Sequence, residues 1–363
     1  MGKKGGLNIK SSNLKDIKSL NLEELKLEFL NASYRKYQAI QVFNWINKGI
    51  TSFDDMTDIS KDLREEFKLK YTIPDTIIEK KLVSKIDETT KYLFKLHDGE
   101  FIESVLMKYH HGYSICISTQ VGCKMGCKFC ATGKGGFSRN LYPSEMISQI
   151  HTVQKDNNIR ISNVVLMGMG EPLDNYDNVV KFLKLISSHQ GLNIGMRHIS
   201  VSTCGIVDKI YKLADEGLQV TLSISLHETD NDRRSQIMPI NNKWKIEEII
   251  KACNYYFLKT NRRVSFEYTL IKNKNDSKKH AKDLIKLLKG MNCYINIIPV
   301  NSIEGGIYEQ CSRSEVINFC NILINAGITA TIRRTLGADI NASCGQLKAK
   351  NVKNLEGDKV EST

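Results

Sequence analysis

Four cysteines of this chain, Cys116, Cys123, Cys127 and Cys130, fall within fifteen residues. The last three stand in the run Cys123-Lys-Met-Gly-Cys127-Lys-Phe-Cys130. This spacing lets three thiolates converge on one metal centre, but the run offers no fourth ligand. A structural zinc is ordinarily closed by four protein ligands, often from paired CxxC elements. A four-iron cluster held by three cysteines instead leaves one iron open to a substrate or cofactor. Lys124, Gly126 and Lys128 make the loop polar, which weighs against three buried structural thiols. The other six cysteines, Cys344 among them, are scattered singly.

The remaining composition bounds the setting. The 363 residues carry 52 Lys+Arg against 40 Asp+Glu, a formal net charge of +12, with 41% hydrophobic residues. That is enough apolar material for a core and rules out disorder as the main state. With 5 Pro and 24 Gly the chain is neither collagen-like nor of low complexity. The basic balance suits a polyanionic partner without identifying one. The opening Met1-Gly2-Lys3-Lys4-Gly5-Gly6 is followed by no apolar signal region, and no stretch reaches the roughly 18 apolar residues of a membrane span. The expectation is a cytoplasmic protein with no membrane contact, where clustered cysteines mean metal or catalysis rather than a disulfide framework.

Positioning such cysteines requires a scaffold, and the periodicity supplies one. Residues 1–19 read as a flexible, Gly/Lys-rich start. Over 20–75 the spacing of Leu22, Leu25, Phe29 and Leu30, then Ala39, Val42, Phe43 and Ile46, predicts a small helical module. Its Lys26, Arg35, Lys36 and Lys48 form either a solvated face or an RNA-binding one. Over 76–112 the period changes to two: Tyr92, Phe94 and Leu96 alternate, His97-Asp98-Gly99-Glu100 signals a turn, and Phe101, Glu103, Val105 and Met107 alternate on the return. Glu103 then shares a face with three apolar side chains, as a solvated rim residue or a desolvated one; the residues alone favour the rim. Strands at 114–119, 163–167, 198–204, 220–227, 264–271, 294–300 and 328–333 alternate with helices at 144–154, 176–187, 207–214, 246–258, 277–288 and 314–325. Such βα repeats imply an α/β fold with a parallel sheet, and six to seven repeats imply an open, partial β/α barrel over 113–335. Chemistry in that architecture belongs at the C-terminal strand ends. A C-terminal loop and tail occupy 336–363.

The cysteine run resembles the cluster motif of the radical S-adenosylmethionine superfamily, which implies a 4Fe-4S cluster on Cys123, Cys127 and Cys130 and S-adenosylmethionine on the open iron. Gly170 and Glu171, in Gly168-Met169-Gly170-Glu171-Pro172, resemble the motif that meets the cofactor's methionyl amine. Ser202, Ser225-Leu226-His227 and Asn301 match later cofactor contacts. Each is weak alone, but all fall in order near strand ends. More narrowly, 53–57, 114–120, 131–133, 168–173 and 333–347 resemble the RlmN/Cfr family of RNA adenine methyltransferases, over roughly residues 20–348. Ser343 departs from the family's usual Ala, and the Gly/Lys start is extra. Gly170-Glu171-Pro172-Leu173 matches the C2-methylating branch better than the Cfr-type branch, which methylates adenine C8.

The resemblance implies a chemistry. Adenine C2 is an electron-poor carbon bearing hydrogen and cannot attack a sulfonium methyl directly. Two molecules of S-adenosylmethionine are used per methylation, one to methylate Cys344 and one as the source of a 5′-deoxyadenosyl radical. That radical takes a hydrogen from the S-methyl group, and the methylene radical adds to C2, joining enzyme to RNA. Glu103 matches the family's proton acceptor, although Cys116 remains open for that step. Cys116 matches the thiol that frees the product, leaving a transient disulfide with Cys344; its reactivity requires a thiolate. The implied partners are 23S rRNA, tRNA and an electron donor such as flavodoxin or ferredoxin, with a monomer as the default state. The target adenosine must be unstacked to be reached, with phosphates met by Lys and Arg. Candidates are the helical module, Lys134, Arg139 and Arg333-Arg334. A zinc-stabilised RNA-binding protein without catalysis is the alternative of another class.

Overall fold

The computed structural model describes residues 14–301, 303 and 306–347. Most of the expected flexible start (1–13) and the end of the C-terminal tail (348–363) lie outside them. Residues 14–19 of that start are placed: β1 (Lys15–Asp16) pairs with a later strand, and Ile17 and Lys18 are buried.

The N-terminal module consists of β1, α1 (Leu22–Asn31), α2 (Lys36–Asn47), α3 (Lys61–Lys70) and β2 (Tyr71–Thr72). Asn21 caps α1 in a capping box with Glu24, which satisfies two orphan donors at once. The buried positions of α1 and α2 are Leu22, Leu25 and Phe29, then Ala39, Val42, Phe43 and Ile46, as the 3.6-residue period marks, whereas Leu30, expected with them, is exposed. Phe29, Tyr34, Phe53, Phe67 and Tyr71 stack into one aromatic cluster, with Phe29 and Phe67 centroids 5.3 Å apart.

The rest is organised by one ten-stranded sheet, in the order β14-β13-β12-β11-β10-β9-β6-β5-β4-β3 among the described residues. Strands β3 (Ile77–Val83), β4 (Thr90–Lys95), β5 (Phe101–Tyr109) and β6 (Gly112–Cys116) form an antiparallel meander. The hairpin expected at 92–107 is thus part of the barrel sheet rather than an appendage. After β6 the short pair β7 (Gln120–Gly122) and β8 (Phe137–Asn140) brackets the cysteine loop and the single turn α4 (Ala131–Lys134). Next come α5 (Pro143–Asn157), β9 (Ile161–Leu166), α6 (Tyr176–Ser187), β10 (Ile199–Thr203), α7 (Val207–Asp215), β11 (Thr221–Ser225), α8 (Asn231–Ile237) and α9 (Ile246–Thr260). Strand β12 (Val264–Leu270), α10 (Lys278–Leu288), β13 (Cys293–Pro299), α11 (Arg313–Asn325) and β14 (Ala330–Ile332) complete it. From β6 and β9 to β14 every pairing is parallel. All seven residues of β12 are buried, as a strand covered on both faces requires.

The sheet does not close on itself. Residues 333–347 run from β14 back towards β3 and β4 and cover the opening. Asp87 accepts from the Gly337 N–H (2.9 Å), Asp339 from the Ser84 hydroxyl (2.7 Å), and the Lys91 ammonium reaches the Asn341 carbonyl (3.2 Å). Ser343, where the family usually has Ala, donates its hydroxyl to the Leu336 carbonyl (2.8 Å) and tightens this segment.

The helical module is seated on α5. Buried Lys18 donates to the Ser148 hydroxyl (2.7 Å) and the Pro74 carbonyl (3.1 Å). Gly49 lies against His151, whose ring a Cβ would approach to 3.2 Å. Both His151 ring nitrogens are buried without a hydrogen-bond partner among the described residues, and burial, with Lys18 nearby, pushes its pKa down to about 3. The unfolded chain takes up that proton near the ordinary 6.5, so the stabilisation is complete above that pH and drains away as pH falls towards 3. His151→Leu should remove up to about 1.4 kcal/mol per pH unit of the acid dependence of stability between pH 6 and 4. Urea unfolding across that range measures it, and an unchanged slope would contradict a neutral buried imidazole.

Candidate active site

Glycines shape the cysteine loop where it leaves the β7–β8 pair. Gly122 has φ +75°, and a Cβ there would lie 2.1 Å from the Gly136 carbonyl oxygen, so no other residue fits this crossing. The Cys123 N–H bonds that same carbonyl (2.7 Å), and the Lys128 N–H bonds the Ile237 carbonyl (3.0 Å). Gln120 ties the loop to the next one, accepting from the Glu171 N–H (2.8 Å) and donating to Asp174 (2.8 Å). Gly170, at φ +104°, packs directly on Gln120.

Cys123, Cys127 and Cys130 line one cavity at the C-terminal ends of the parallel strands, together with Gly170, Glu171, Ser202, Ser225, His227, Asn301 and Cys344. Ten of the thirteen residues expected at the site are therefore gathered around one space. Leu226 is not among them: its side chain is in the core, its N–H bonds the Glu267 carbonyl (3.1 Å), and its carbonyl accepts from Arg234 (2.9 Å). Glu171 lines the cavity, yet its carboxylate oxygens accept from the Cys204 N–H (2.8 Å) and the Leu173 N–H (3.1 Å). Burial raises its pKa, and these amides pull it back. His227 sits at φ +58°, edge-on to Phe129 with centroids 4.7 Å apart. Its Nδ1 accepts from the Thr269 N–H (2.9 Å), so the ring, held neutral by a pKa pushed down to about 3 by burial, carries its proton on Nε2.

A second, smaller chamber adjoins the first and contains Cys116. Cys344, Asn301, Arg333, Met167 and Ile298 border both. The Asn301 amide holds the Cys344 carbonyl (3.0 Å), and the Gly345 carbonyl accepts from the Ala131 N–H (2.7 Å), one residue after Cys130. Thr132 bonds the Leu347 carbonyl (2.7 Å). Two thiols 228 positions apart in sequence thus meet at one chamber.

Several expectations change. All ten cysteines are free, so the structure shows no Cys116–Cys344 disulfide, which the resemblance implies only as a transient step. At Cys116 burial, and Cys344 beside it, push the thiol pKa up to about 12, with Arg333 opposing. Glu103 is no rim residue. It is 5% exposed, on the same face as Cys116, and pairs with the Lys91 ammonium (3.1 Å), though it borders neither chamber. Arg333 and Arg139, offered for phosphates, are engaged inside the protein. Arg333 turns inward to Glu267 (3.5 Å) and the Met167 sulfur (3.3 Å), while Arg139 grips Glu145 bidentately at 2.8 Å and also bonds Asp98.

Arg234 is the residue the sequence concealed most completely. Fully buried, its guanidinium donates to the carbonyls of Leu226, Cys204 (2.8 Å) and Ser225 (2.9 Å) and to the Asn241 amide oxygen (3.0 Å). It thereby knots the ends of β10 and β11 at the cavity floor. Among the described residues no carboxylate partners it, and burial pushes its pKa down to about 10. In Asn-Asp-Arg-Arg-Ser it reads as one more solvated charge, and only its position after a strand end hints otherwise.

The donor set fits a cluster better than a single ion. Among the described residues no group of three His, Cys, Asp or Glu closes tightly enough to hold one metal ion. The cysteine loop brings three thiols to the cavity, whereas structural zinc wants four ligands; Cys204, Cys344 and His227 border the same space from other elements. Burial and the neighbouring cysteines push the Cys123 thiol up to about 12 and raise that of Cys127 further, so thiolates form there only against a strong local positive charge. Three separate irons with a fourth left open satisfy that set.

Proteins of known family share this sequence and fold. Residues 117–287 match the model of the radical SAM superfamily, and residues 13–73 that of the ribosomal RNA large subunit methyltransferase N-terminal domain. The chain is 52% identical over 342 residues to a probable dual-specificity RNA methyltransferase RlmN of Clostridium novyi, covering 94% of this chain and all of the relative. It is 51% identical to the protein of the same description from Alkaliphilus oremlandii, covering 93% and 99%. A crystal structure of a radical SAM methyltransferase from Sphaerobacter thermophilus superposes with a TM-score of 0.89 at 38% identity, over 93% of this chain and all of that one.

Replacing Arg234 with Met would strand three carbonyls at the cavity floor. The variant should lose about 3 kcal/mol or more of stability in denaturant unfolding, and Arg234→Lys should recover only part of it. A loss below about 1 kcal/mol would mean the strand ends hold themselves without it.

Proposed function

The chain belongs to the RlmN family of dual-specificity RNA methyltransferases within the radical SAM superfamily, and we propose that it methylates C2 of adenosine in 23S rRNA and in tRNA with Cys344 as the carrier of the methyl carbon. One observation carries this reading: Cys344 stands on the wall between two chambers, one bearing the three cysteines of the loop, the other bearing Cys116. A carbon on its sulfur can be loaded from one side and presented to a base on the other.

Bound in the first chamber, a 4Fe-4S cluster and S-adenosylmethionine supply the methyl group and the one-electron chemistry that an electron-poor C–H carbon demands. Cys123, Cys127 and Cys130 hold the cluster. The Gly170–Glu171 backbone, Ser202, Ser225 and the Nε2–H of His227 contact the cofactor, while Leu226 supports them from the core. Asn301 fixes the Cys344 backbone, so the sulfur keeps its station between the chambers. Glu103, buried on the sheet face that carries Cys116, takes the C2 proton. The Cys116 thiolate then attacks the Cys344 sulfur, forming a transient Cys116–Cys344 disulfide and breaking the sulfur–carbon bond to the product, whose carbon takes up a proton; Arg333, bordering the same chamber, lowers the cost of deprotonating Cys116. An electron donor of the flavodoxin or ferredoxin class completes the system, in which the enzyme works as a cytoplasmic monomer.

Anaerobic turnover with unmodified rRNA or tRNA, followed by nucleoside mass spectrometry, should yield 2-methyladenosine; an 8-methyl product would move the chain to the Cfr-type branch. Cys344→Ala should abolish product. Cys116→Ala and Glu103→Gln should instead stall with RNA attached covalently to the protein, visible as a gel shift, and normal release by Glu103→Gln would remove it as the base. The reconstituted protein should be brown with about four irons per chain, and Cys127→Ala should lose them. A colourless zinc protein would establish the non-catalytic reading.

A further inference from the structure

The chamber holding Cys116 has an aromatic feature that the reaction described above does not use. Strand β5 ends at Tyr109, whose side chain lines this chamber together with Cys116, Cys344, Arg333 and Arg334. Behind it, His111 lies nearly parallel to the Tyr109 ring, with centroids 5.2 Å apart and planes at 13°. His110 meets His111 edge-on at 4.8 Å and 85°. The arrangement is set by the backbone. Tyr109 pairs with Gly112 across the β5–β6 turn, and Gly112 has φ +118°, with a Cβ site only 2.4 Å from the Ser162 hydroxyl. The turn is therefore pinned against β9, and the two rings are aligned by it. His110 and His111 are exposed and Tyr109 half-buried, so the stack runs from solvent into the chamber.

A flat ring at the wall of a space bordered by two arginines is what a nucleobase seeks. Every base has a π-face that stacks on an aromatic side chain, and the phosphate attached through its sugar seeks a guanidinium. Arg333 is committed to Glu267, whereas Arg334 is exposed at the chamber rim. We propose that Tyr109 stacks on the unstacked target adenine, that His111 holds the Tyr109 ring in its plane, and that Arg334 takes the adjoining phosphate. Stacking against Tyr109 replaces the neighbours the base loses on leaving its RNA stack, and leaves its edge free for Cys344. The proposal rests on the RNA reading given above and names the protein groups that hold the base.

The test compares two RNA stem-loops with the cluster-loaded enzyme, one carrying the target adenine and one abasic at that position, by fluorescence anisotropy. Wild type should bind the adenine RNA roughly 5- to 150-fold more tightly than the abasic one. Tyr109→Ala should erase that ratio while binding abasic RNA as wild type does, and Tyr109→Phe should keep it. His111→Ala, at an exposed position, should lower the ratio a few-fold, and Arg334→Gln should weaken both RNAs equally. An unchanged ratio in Tyr109→Ala and His111→Ala overturns the proposal. Wild type that binds neither RNA overturns the RNA reading beneath it, a result distinct from the first.

Discussion

The hydrogen bond from the Ala131 N–H to the Gly345 carbonyl (2.7 Å) joins the two pieces of chain on which everything else here depends. One is the cysteine loop; the other is the segment that covers the opening of an unclosed sheet. A sheet with free edges at β3 and β14 leaves a lateral gap, and residues 333–347 span it with side chains and backbone rather than with another strand. Their far end is tied by Asp87, Ser84 and Lys91 on the β3–β4 side, their near end by Asn301, Ala131 and Thr132. A strand in the same place would have closed the barrel but paired its backbone along its whole length. A tethered loop can carry a thiol at the boundary and leave space on both sides of it.

Electrostatics reinforce that arrangement. Behind the strand ends that line the first cavity lies buried Arg234, bonded among the described residues to carbonyls and one amide, and the second is flanked by Arg333. Neither contributes much as an ion pair; each orients strand ends and offsets the cost of negative charge on sulfur. Burial works the other way, pushing the Cys116 thiol up to about 12 and raising those of Cys123 and Cys127. A site that must gather several thiols without joining them in disulfides gains from that opposition. The thiols stay neutral and inert until a charge arrives.

Much of the fold was legible in sequence because its signals are local. The seven barrel strands and six large helices follow from alternating β-branched runs and amphipathic stretches, and the observed boundaries differ by a few residues at most. The cluster cysteines were legible for the same reason, since a loop of eight residues sets their spacing directly. Glu103 was not: alternation shows which face it shares but not whether β4 and Lys91 cover that face. The antiparallel strands also looked like a separate hairpin, because the β6–β9 pairing that fuses them to the barrel joins residues about fifty apart.

The sequence alone determined the chemistry available to this protein: three cysteines at metal spacing, glycines where the backbone must cross closely, and two further thiols without an obvious connection. Only the tertiary structure decided that Cys116 and Cys344 share a chamber, that Arg333 faces inward while Arg334 remains at the rim, and that Arg234 is buried. The physical reason is one of range. Propensity, turn chemistry and motif spacing act over a few residues, whereas burial and ionisation are set by whatever the parallel sheet and its covering loop bring together from distant parts of the chain.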